Sequence, residues 1–395
     1  MRIAQVQDFH ADGGWQTLSF LKVTADDGSV GWSEFNEGFS GAGLRDVVRR
    51  LGAAVLGLDP RRTLALSALL QARTRPAAGG LNAQAAAAIE NACLDLKARA
   101  LGVPVCELFG GPLREQLPAY WSHCGMYRLR RPDLFAGRGL VVPRGRDDLP
   151  ALAREVAAGG WRALKTNLLR FGLDGAAEVL MPGFGRGAGH PARNLDGDLV
   201  DDARALLQGL QSGAPGLQVM LDLNFNFRPE GARRLAAALA PLQPGWIEFD
   251  CPDPAALAFV RAHSPVPIAS LEAVYGCQAM RPFLEARAVD VAIIDPMWNG
   301  FGEALRMAAL ADSHEVNVAS HVYSGHLATA MAAHFCALVP NLRLMEAEGD
   351  RVPWLDALYD RPLVVDQGAV RLPEGPGWGI AVDEAALLRH PAVAG

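Results

Sequence analysis

From about residue 119 onward the chain repeats one unit, a short apolar run followed by a stretch with helical periodicity. Each run is too short for a helix and too uniformly apolar for a strand with one exposed face, as expected of parallel strands that helices cover on both faces. The predicted strands are residues 161–165, 217–222, 246–249, 266–270 and 289–294. Because strands alternate with helices, the pattern predicts an α/β fold of the (β/α) TIM-barrel type.

One titratable or metal-binding side chain stands at the end of almost every predicted strand. These side chains are Lys165, Asp222, Glu248, Glu272, Asp295 and His321. From the first aspartate onward they are spaced by 26, 24, 23 and 26 residues, about one βα unit each. A barrel brings the C-terminal ends of its strands to one mouth, where barrel enzymes keep their active sites. We therefore expect these side chains to meet in space.

Three of the carboxylates, Asp222, Glu248 and Glu272, would repel one another in a shared pocket unless a divalent cation supplied the opposing charge. Hard oxygen ligands favour Mg²⁺, which takes octahedral coordination and keeps positions open for water or substrate. An ordinary salt bridge would account for any one of these acids, but it does not account for the regularly spaced set. The spacing therefore predicts a Mg²⁺ site that also receives the carboxylate of a small-molecule substrate.

The first part of the chain has a different pattern. Alternating residues at 18–23 and turn residues at 25–28 predict a hairpin or short meander. Helical periodicity follows over 44–70 and 83–100, and Gly102 ends the second stretch. We therefore predict an α+β unit of about the first 115 residues. A later glycine-rich segment does not match a phosphate-binding turn, so we interpret it as a loop or insertion at residues 181–191.

Composition limits the partners of this chain of 395 residues. Its net charge of −6 provides no basic surface for nucleic acid or an anionic membrane, which favours small-molecule chemistry. The chain has neither the apolar core of a signal peptide at its start nor a run of about 18 apolar residues, so we expect a soluble, cytoplasmic protein. We also expect it to form a homo-oligomer. Its six cysteines lack zinc-site spacing and are predicted to be buried free thiols.

Short motifs along nearly the whole chain support a closer comparison. Fold markers stand at residues 31–34 (Gly-Trp-Ser-Glu), 87–99 and 108–111 (Leu-Phe-Gly-Gly). Functional motifs are Lys-Thr-Asn at 165–167, Asp-Leu-Asn at 222–224, Ile-Glu at 247–248, Leu-Glu at 271–272, Asp-Pro at 295–296 and Ser-His at 320–321. Together they resemble the mandelate racemase and muconate lactonizing enzyme branch of the enolase superfamily.

The resemblance implies a modified barrel at residues 116–360 and an N-terminal α+β capping domain at residues 1–115. A C-terminal segment at residues 361–395 would return to the capping domain and complete it. Two glycine-rich stretches of the capping domain, residues 9–15 and 36–41, would close over the barrel mouth and select the substrate.

The resemblance also implies Mg²⁺-dependent removal of the α-proton of a carboxylate substrate, which leaves an enolate. Asp222, Glu248 and Glu272 would bind the metal, and Lys165 would stabilise the developing negative charge. Asp295 would accept a hydrogen bond from one nitrogen of His321, so that the other nitrogen acts as the base. Glu346 would bind the substrate carboxylate, although Glu348 competes for this assignment. The remaining candidate substrate contacts are Asn167, Asn224, His123 and His326.

One position departs from the family pattern. Where this branch commonly has a second lysine two residues after the first, the chain has Asn167. An amide cannot take up a proton, so a two-base epimerisation is disfavoured and His321 remains as the single base. A protonated His321 could then give its proton to a leaving β-hydroxyl, which predicts syn dehydration of an acid sugar to a 2-keto-3-deoxy acid. The sequence does not specify which acid or which stereoisomer.

Other readings remain open at this point. The same residues suit a cycloisomerase, and a racemase or epimerase would need a second base elsewhere. Lys165 at a strand end would also suit a Schiff-base aldolase, although this leaves the spaced acids without a role. A noncatalytic binding module is a further alternative, although the chain retains all three predicted metal ligands.

Overall fold

The computed structural model describes residues 1–37, 41–181 and 190–392. Most of the glycine-rich segment at 181–191 and the middle of the predicted loop at 36–41 therefore lie outside the described residues. No helix within the described ranges is both long enough and apolar enough to cross a membrane.

The chain begins with an antiparallel three-stranded meander followed by three helices. The strands are β1 (Ile3–Asp12), β2 (Thr17–Ala25) and β3 (Val30–Phe35). The helices are α1 (Leu44–Ala53), α2 (Thr63–Thr74) and α3 (Gly80–Leu101). The periodic stretch predicted at 44–70 is thus two helices, because the segment between them contains Pro60, which cannot donate a backbone hydrogen bond within a helix. A hydrophobic core of their own joins these helices to the meander.

Strands and helices then alternate. The strands are β4 (Gln116–Ser122), β5 (Ala163–Asn167), β6 (Leu169–Phe171), β7 (Ala177–Val179), β8 (Gln218–Asp222), β9 (Ile247–Glu248), β10 (Ile268–Ser270), β11 (Val291–Ile294), β12 (Asn317–Ser320), β13 (Leu342–Glu348), β14 (Val365–Asp366) and β15 (Ala369–Arg371). The helices are α4 (Met126–Arg130), α5 (Pro132–Phe135), α6 (Leu149–Ala158), α7 (Gly197–Gly213), α8 (Pro229–Leu239), α9 (Pro254–Ala262), α10 (Gly276–Glu285), α11 (Pro296–Asn299), α12 (Phe301–Ser313), α13 (His326–Leu338) and α14 (Glu384–Arg389).

Eight of these strands, β4, β5 and β8 to β13, pair in parallel and close into a barrel, because β13 pairs with β4. Every other side chain of a strand points to the same side of the sheet, so residues of several barrel strands can pack together. One hydrophobic cluster consists of Tyr120, Ala163, Met220, Trp246, Ala269, Val291, Ile293 and Ala319. The predicted fold, a (β/α) barrel with an N-terminal α+β capping domain, is confirmed, and a β-strand overlaps each of the five predicted strand segments.

All six cysteines are free thiols, as predicted, but two of them are less buried than expected. Cys93, Cys106, Cys124 and Cys336 are buried. Cys251 and Cys277 are only half-buried, since they lie in loops and helix starts at the barrel rim rather than in the core.

Asp95 of α3 joins the capping domain to the C-terminal segment. Its carboxylate accepts backbone hydrogen bonds from Trp32 at 2.8 Å and Trp378 at 2.9 Å, and it pairs with Arg99 at 2.8 Å. The side chain is fully buried. A Cβ atom on Gly377 would lie 2.0 Å from the Asp95 carboxylate, so the approach requires glycine. One buried acid thus satisfies donors from three separate segments of the chain.

We expect Asp95→Ala to lower the free energy of unfolding by about 3 kcal/mol, because it leaves two buried N–H groups and a guanidinium without an acceptor. Denaturant unfolding followed by circular dichroism measures this loss. The matched control is Asp201→Ala, since Asp201 is 71% exposed and its pair with Arg204 lies on the surface of α7. Equal losses in the two variants would contradict the structural role given to Asp95.

Candidate active site

Barrel closure places Lys165 among three carboxylates at the C-terminal mouth. Its Nζ atom lies 2.7 Å from Glu248, 3.1 Å from Asp222 and 3.3 Å from Glu346. The side chain is only 1% exposed. Burial alone would lower the pKa of the Lys165 ammonium, but the nearby carboxylates, Glu248 first, raise this pKa well above its ordinary value. Lys165 therefore carries a positive charge inside the site.

A cluster of carboxylates lies beside this ammonium. Glu248, Asp250 and Glu272 each offer one ligand oxygen, and these oxygens all lie within 4.8 Å of one another. Burial, followed by the charge of Asp250, raises the pKa of Glu272 well above its ordinary value. Burial and the charge of Asp222 raise the pKa of Asp250 to about 6. Without an opposing charge, these acids resist ionisation.

The cluster fits a divalent cation. Its ligand atoms are hard carboxylate oxygens, and Oε1 of Glu248 is buried without a hydrogen-bond partner among the described residues. A buried carboxylate oxygen that lacks a donor is costly, and a bound cation would remove that cost.

Asp250 was not among the ligands predicted from the sequence. A signal for it was present, since it follows Glu248 by two residues and alternate residues of an extended segment point to the same side. The predicted ligand Asp222 borders the cluster, because the strand register pairs it with Glu248. Its two carboxylate oxygens contact Lys165 and the backbone N–H of Asn224. The structure therefore brings Glu248 and Glu272 together with Asp250, and places Asp222 next to them.

His321 and Asp295 form a hydrogen-bonded pair at the same mouth. Nδ1 of His321 lies 2.7 Å from Oδ2 of Asp295, whose other oxygen accepts the backbone N–H groups of Met297 and Trp298. The opposite ring atom, Nε2, lies 3.5 Å from Oε2 of Glu272 and so faces the cluster. Burial alone would lower the pKa of His321, but the hydrogen bond to Asp295 and nearby negative charges raise this pKa to about 9.

The two acids of β13 occupy different surroundings. Glu346 accepts a hydrogen bond from the Ser122 hydroxyl at 2.5 Å and lies beside Lys165. Burial would raise the pKa of Glu346, but the charges of Lys165 and His321 and the hydrogen bond from Ser122 together lower this pKa to about 2. Glu348 instead accepts the indole N–H of Trp121 at 3.0 Å. Glu346 is thus the acid that the structure places next to Lys165.

The predicted substrate contacts divide into two groups. Asn167 and Asn224 lie at the mouth, where the Asn167 amide donates to Oδ1 of Asn224 and Oδ1 of Asn167 is buried with no partner in the described part of the chain. His123, at the end of β4, also lies there, and its Nδ1 is 2.9 Å from the Ser122 hydroxyl. His326 begins α13, and its ring contacts Asp356 at 2.7 Å and Tyr359. These contacts connect His326 to the C-terminal part of the chain.

Capping-domain residues hold the loops that carry the His321–Asp295 pair. Glu34 accepts backbone N–H groups from Gly325 at 2.6 Å and Ala328 at 3.0 Å, so it caps the start of α13 just after His321. Asn91 donates to the Pro296 carbonyl and accepts the Phe301 N–H, each at 3.0 Å. From the sequence alone, Glu34 and Asn91 were predicted to be markers of the fold and not parts of the site.

The turn between β1 and β2 packs against the barrel mouth. Trp15 stacks on Tyr127 with ring centroids 4.5 Å apart, and Arg131 donates to the Gly14 carbonyl at 3.1 Å. From the second predicted closing stretch, Asn36 donates to the Tyr323 carbonyl at 3.3 Å. Both stretches therefore contact loops that begin at the ends of barrel strands.

Two family models match the chain. The model of the mandelate racemase / muconate lactonizing enzyme N-terminal domain matches residues 10–110, and the enolase C-terminal domain-like model matches residues 148–386. The chain belongs to the enolase superfamily. Within that superfamily it belongs to the mandelate racemase and muconate lactonizing enzyme branch, as the motifs predicted.

Named relatives of this enolase superfamily chain differ in their reactions. It is 28% identical to a D-galactarolactone cycloisomerase of Agrobacterium fabrum, over 93% of this chain and 89% of that protein. It is 26% identical to a D-xylonate dehydratase of Haloferax volcanii, over 98% of this chain and 88% of that protein. A solved structure from Burkholderia xenovorans, provisionally assigned as an L-alanine-DL-glutamate epimerase and bound to magnesium and fumarate, is 41% identical with a TM-score of 0.94, covering 99% of this chain and 96% of that one.

We expect a divalent cation to stabilise the protein by removing the repulsion within the carboxylate cluster. At a concentration 100-fold above the dissociation constant, the gain is about 2.7 kcal/mol. The gain shrinks as the pH falls below about 6, because protons then compete for Asp250. Thermal unfolding with Mg²⁺ or with EDTA, near pH 7.5 and near pH 5, measures both effects.

Variants test the ligands separately. Glu248→Gln should abolish the Mg²⁺-induced rise in Tm, whereas Glu230→Gln should preserve it, because Glu230 is 62% exposed on α8. Comparing Asp222→Asn with Asp250→Asn decides which of these two carboxylates binds the cation. An unchanged rise in Glu248→Gln would contradict a cation site at this cluster.

Proposed function

We propose that this member of the enolase superfamily uses Mg²⁺ to remove the α-proton of a carboxylate substrate, and that it dehydrates an acid sugar to a 2-keto-3-deoxy acid. The observation that carries the proposal is the single His321–Asp295 pair facing the carboxylate cluster, with an amide instead of a lysine at Asn167. The similarity to a D-xylonate dehydratase along most of both chains supports this reaction class.

Glu248 and Glu272 would hold the metal together with Asp222, the third predicted ligand, or with Asp250. When bound, Mg²⁺ supplies positive charge to the oxygens of the substrate carboxylate, which makes the α-proton easier to remove. Lys165 adds a second positive charge beside these oxygens. Glu346 is held in place by Ser122 and Lys165, and it would orient the substrate carboxylate through the Lys165 ammonium that it positions. The structure from Burkholderia xenovorans is bound to magnesium and fumarate, which supports a divalent cation and a carboxylate substrate for this chain.

The proton steps belong to His321. Because its pKa is raised to about 9, His321 must first lose the proton on Nε2. Asp295 then holds the remaining proton on Nδ1, and Nε2 presents its lone pair to the α-carbon. Nε2 takes the α-proton and then returns it to the β-hydroxyl on the same face, so that the carbon–oxygen bond breaks and water leaves. The resulting enol takes up a proton at carbon 3 and becomes the 2-keto-3-deoxy acid. One base thus suffices for a syn elimination.

The surroundings of Lys165 disfavour a Schiff-base aldolase. A Schiff base forms from a neutral amine, so lysines that act this way have a lowered pKa. The neighbouring carboxylates act in the opposite direction and raise the pKa of Lys165. Lys165 therefore suits electrostatic stabilisation better than nucleophilic attack.

A cycloisomerase would use the same single base, and the similarity to a D-galactarolactone cycloisomerase keeps this second reaction open. A racemase or epimerase would need a base on the opposite face of the α-carbon. The side chain that the motif places there is Asn167, whose amide donates to Asn224. The choice between a dehydratase and an epimerase therefore depends on whether protons are exchanged only on the face of the α-carbon that His321 contacts.

The expected result for Lys165→Met is a loss of about 10²- to 10³-fold in kcat, the usual effect of removing one preorganised electrostatic group. Steady-state kinetics with Mg²⁺ present, and circular dichroism as a check of folding, measure it. Lys97→Met is the matched control, since Lys97 is half-buried on α3 and has no role in this site. A comparable loss in both variants would show that the lysine assignment is wrong.

The reaction itself is tested by screening aldonic and aldaric acids for Mg²⁺-dependent 2-keto product, with each α-epimer incubated separately in deuterium oxide. NMR of the α-position should show one epimer consumed and the recovered substrate unchanged in configuration. His321→Asn should stop the reaction, whereas Asn167→Ala should mainly raise KM. Interconversion of the two epimers by the wild-type enzyme would reveal a second base and replace the dehydratase with an epimerase.

A further inference from the structure

His123 stands at the end of β4 with an unusual backbone. Its φ is 49°, in the left-handed region that residues other than glycine seldom adopt. Such strain persists where surrounding contacts hold it, and it concentrates at functional sites. Here the backbone of the next residues is held by hydrogen bonds, from Met126 N–H to the His123 carbonyl and from Cys124 N–H to the Lys165 carbonyl.

A chain of hydrogen bonds determines which nitrogen of His123 carries the proton. Glu346 is an ionised carboxylate beside Lys165, so it can only accept. The Ser122 hydroxyl has one hydrogen and donates it to Glu346 at 2.5 Å. The contact of 2.9 Å between Ser122 Oγ and Nδ1 of His123 therefore requires the ring to donate. Neutral His123 must then carry its proton on Nδ1, which leaves a lone pair on Nε2.

Nε2 of His123 has no hydrogen-bond partner within the described ranges, and the ring is only half-buried. Tyr323 packs against the ring with centroids 4.9 Å apart, and Tyr127 lies behind it at 5.9 Å. Burial, followed by the charge of Lys165, lowers the pKa of His123 to about 4, so the ring stays neutral near pH 7. The polar atom that remains available at the mouth is an acceptor.

We propose that Nε2 of His123 accepts a hydrogen bond from a hydroxyl on the carbon chain of the substrate, and that this contact selects polyhydroxy acids over carboxylic acids without hydroxyls. The inference rests on the proposed function and specifies its substrate class. The lone pair on Nε2 needs an O–H donor, which a polyhydroxy acid supplies and fumarate does not. A site built to receive a hydroxyl also rejects analogues that lack one, because its acceptor is then left without a partner.

The first experiment measures the tautomer without any turnover. Two-bond ¹H–¹⁵N correlation spectra of the Mg²⁺-loaded protein distinguish a proton on Nδ1 from one on Nε2, and His123 is assigned by its loss in His123→Phe. We expect the Nδ1–H form in the wild type. Ser122→Ala should shift His123 toward the other tautomer, whereas Ser212→Ala should not, since Ser212 is exposed and its hydroxyl donates to the Gly209 carbonyl within α7. A proton on Nε2, or a doubly protonated ring, in the wild type would overturn the inference.

The second experiment measures ligand binding by calorimetry on the Mg²⁺-loaded enzyme, with aldonic acids and fumarate as probes. His123→Phe keeps the ring against Tyr323 but removes the acceptor, so it should weaken aldonate binding about 10-fold and leave fumarate binding unchanged or stronger. His123→Gln, whose amide oxygen accepts, should recover part of the loss. Equal losses for both probes would show that His123 acts only by packing, and an unchanged aldonate affinity would show no contact.

The two experiments separate this inference from the function on which it rests. If no aldonic acid binds the wild-type enzyme, the acid-sugar dehydratase proposal is wrong, and the hydroxyl contact falls with it. If aldonates bind and are dehydrated but His123→Phe binds them equally well, the function stands and the inference alone is wrong.

Discussion

The repulsion among buried carboxylates is the constraint on which the rest of this site depends. Barrel closure brings Glu248, Asp250 and Glu272 within ligand distance of one another and places Asp222 beside them. Burial raises the pKa values of Glu248 and Glu272, and neighbouring acids raise them further because Lys165 offsets only part of the negative charge. Buried like charges are costly unless an ion compensates them. The carboxylates of the cluster can therefore all be ionised only when a cation is bound. Both the stability of the site and its chemistry thus depend on the same charge balance.

The cap and the barrel form one catalytic structure. Glu34 of β3 caps α13, and Asn91 of α3 binds the two ends of the segment that begins after Asp295. Each contact satisfies backbone groups at a helix terminus that would otherwise lack a partner. Because both loops lead directly from the residues of the His321–Asp295 pair, the docking of the cap also sets the orientation of that pair. Asp95 extends the connection to the C-terminal segment through Trp378.

His321 and His123, which both lie at the barrel mouth, differ in their hydrogen-bond partners and in the direction of their pKa shifts. His321 donates a hydrogen bond to Asp295 and has a raised pKa, whereas His123 contacts the hydroxyl of Ser122 and has a lowered pKa. The difference arises from their partners, a carboxylate in one case and a hydroxyl in the other. One ring is thereby suited to moving a proton, and the other to accepting a hydrogen bond. The two rings differ because Asp295 follows the strand next to the one that His321 follows, whereas the partner of His123 is the preceding residue, Ser122, which ends β4.

The sequence alone determined the barrel, because strand length, apolar content and the recurrence of one active side chain per unit are local properties of the chain. It also indicated Lys165, Glu248, Glu272, Asp295 and His321, since strand ends converge in any barrel. Only the tertiary structure decided that Asp250 joins the cluster, that Glu346 rather than Glu348 lies beside Lys165, and that His326 contacts Asp356. These outcomes depend on the direction in which each side chain points near the end of its strand. Contacts with residues distant in the sequence set that direction, so it cannot be predicted from the spacing of residues along the chain.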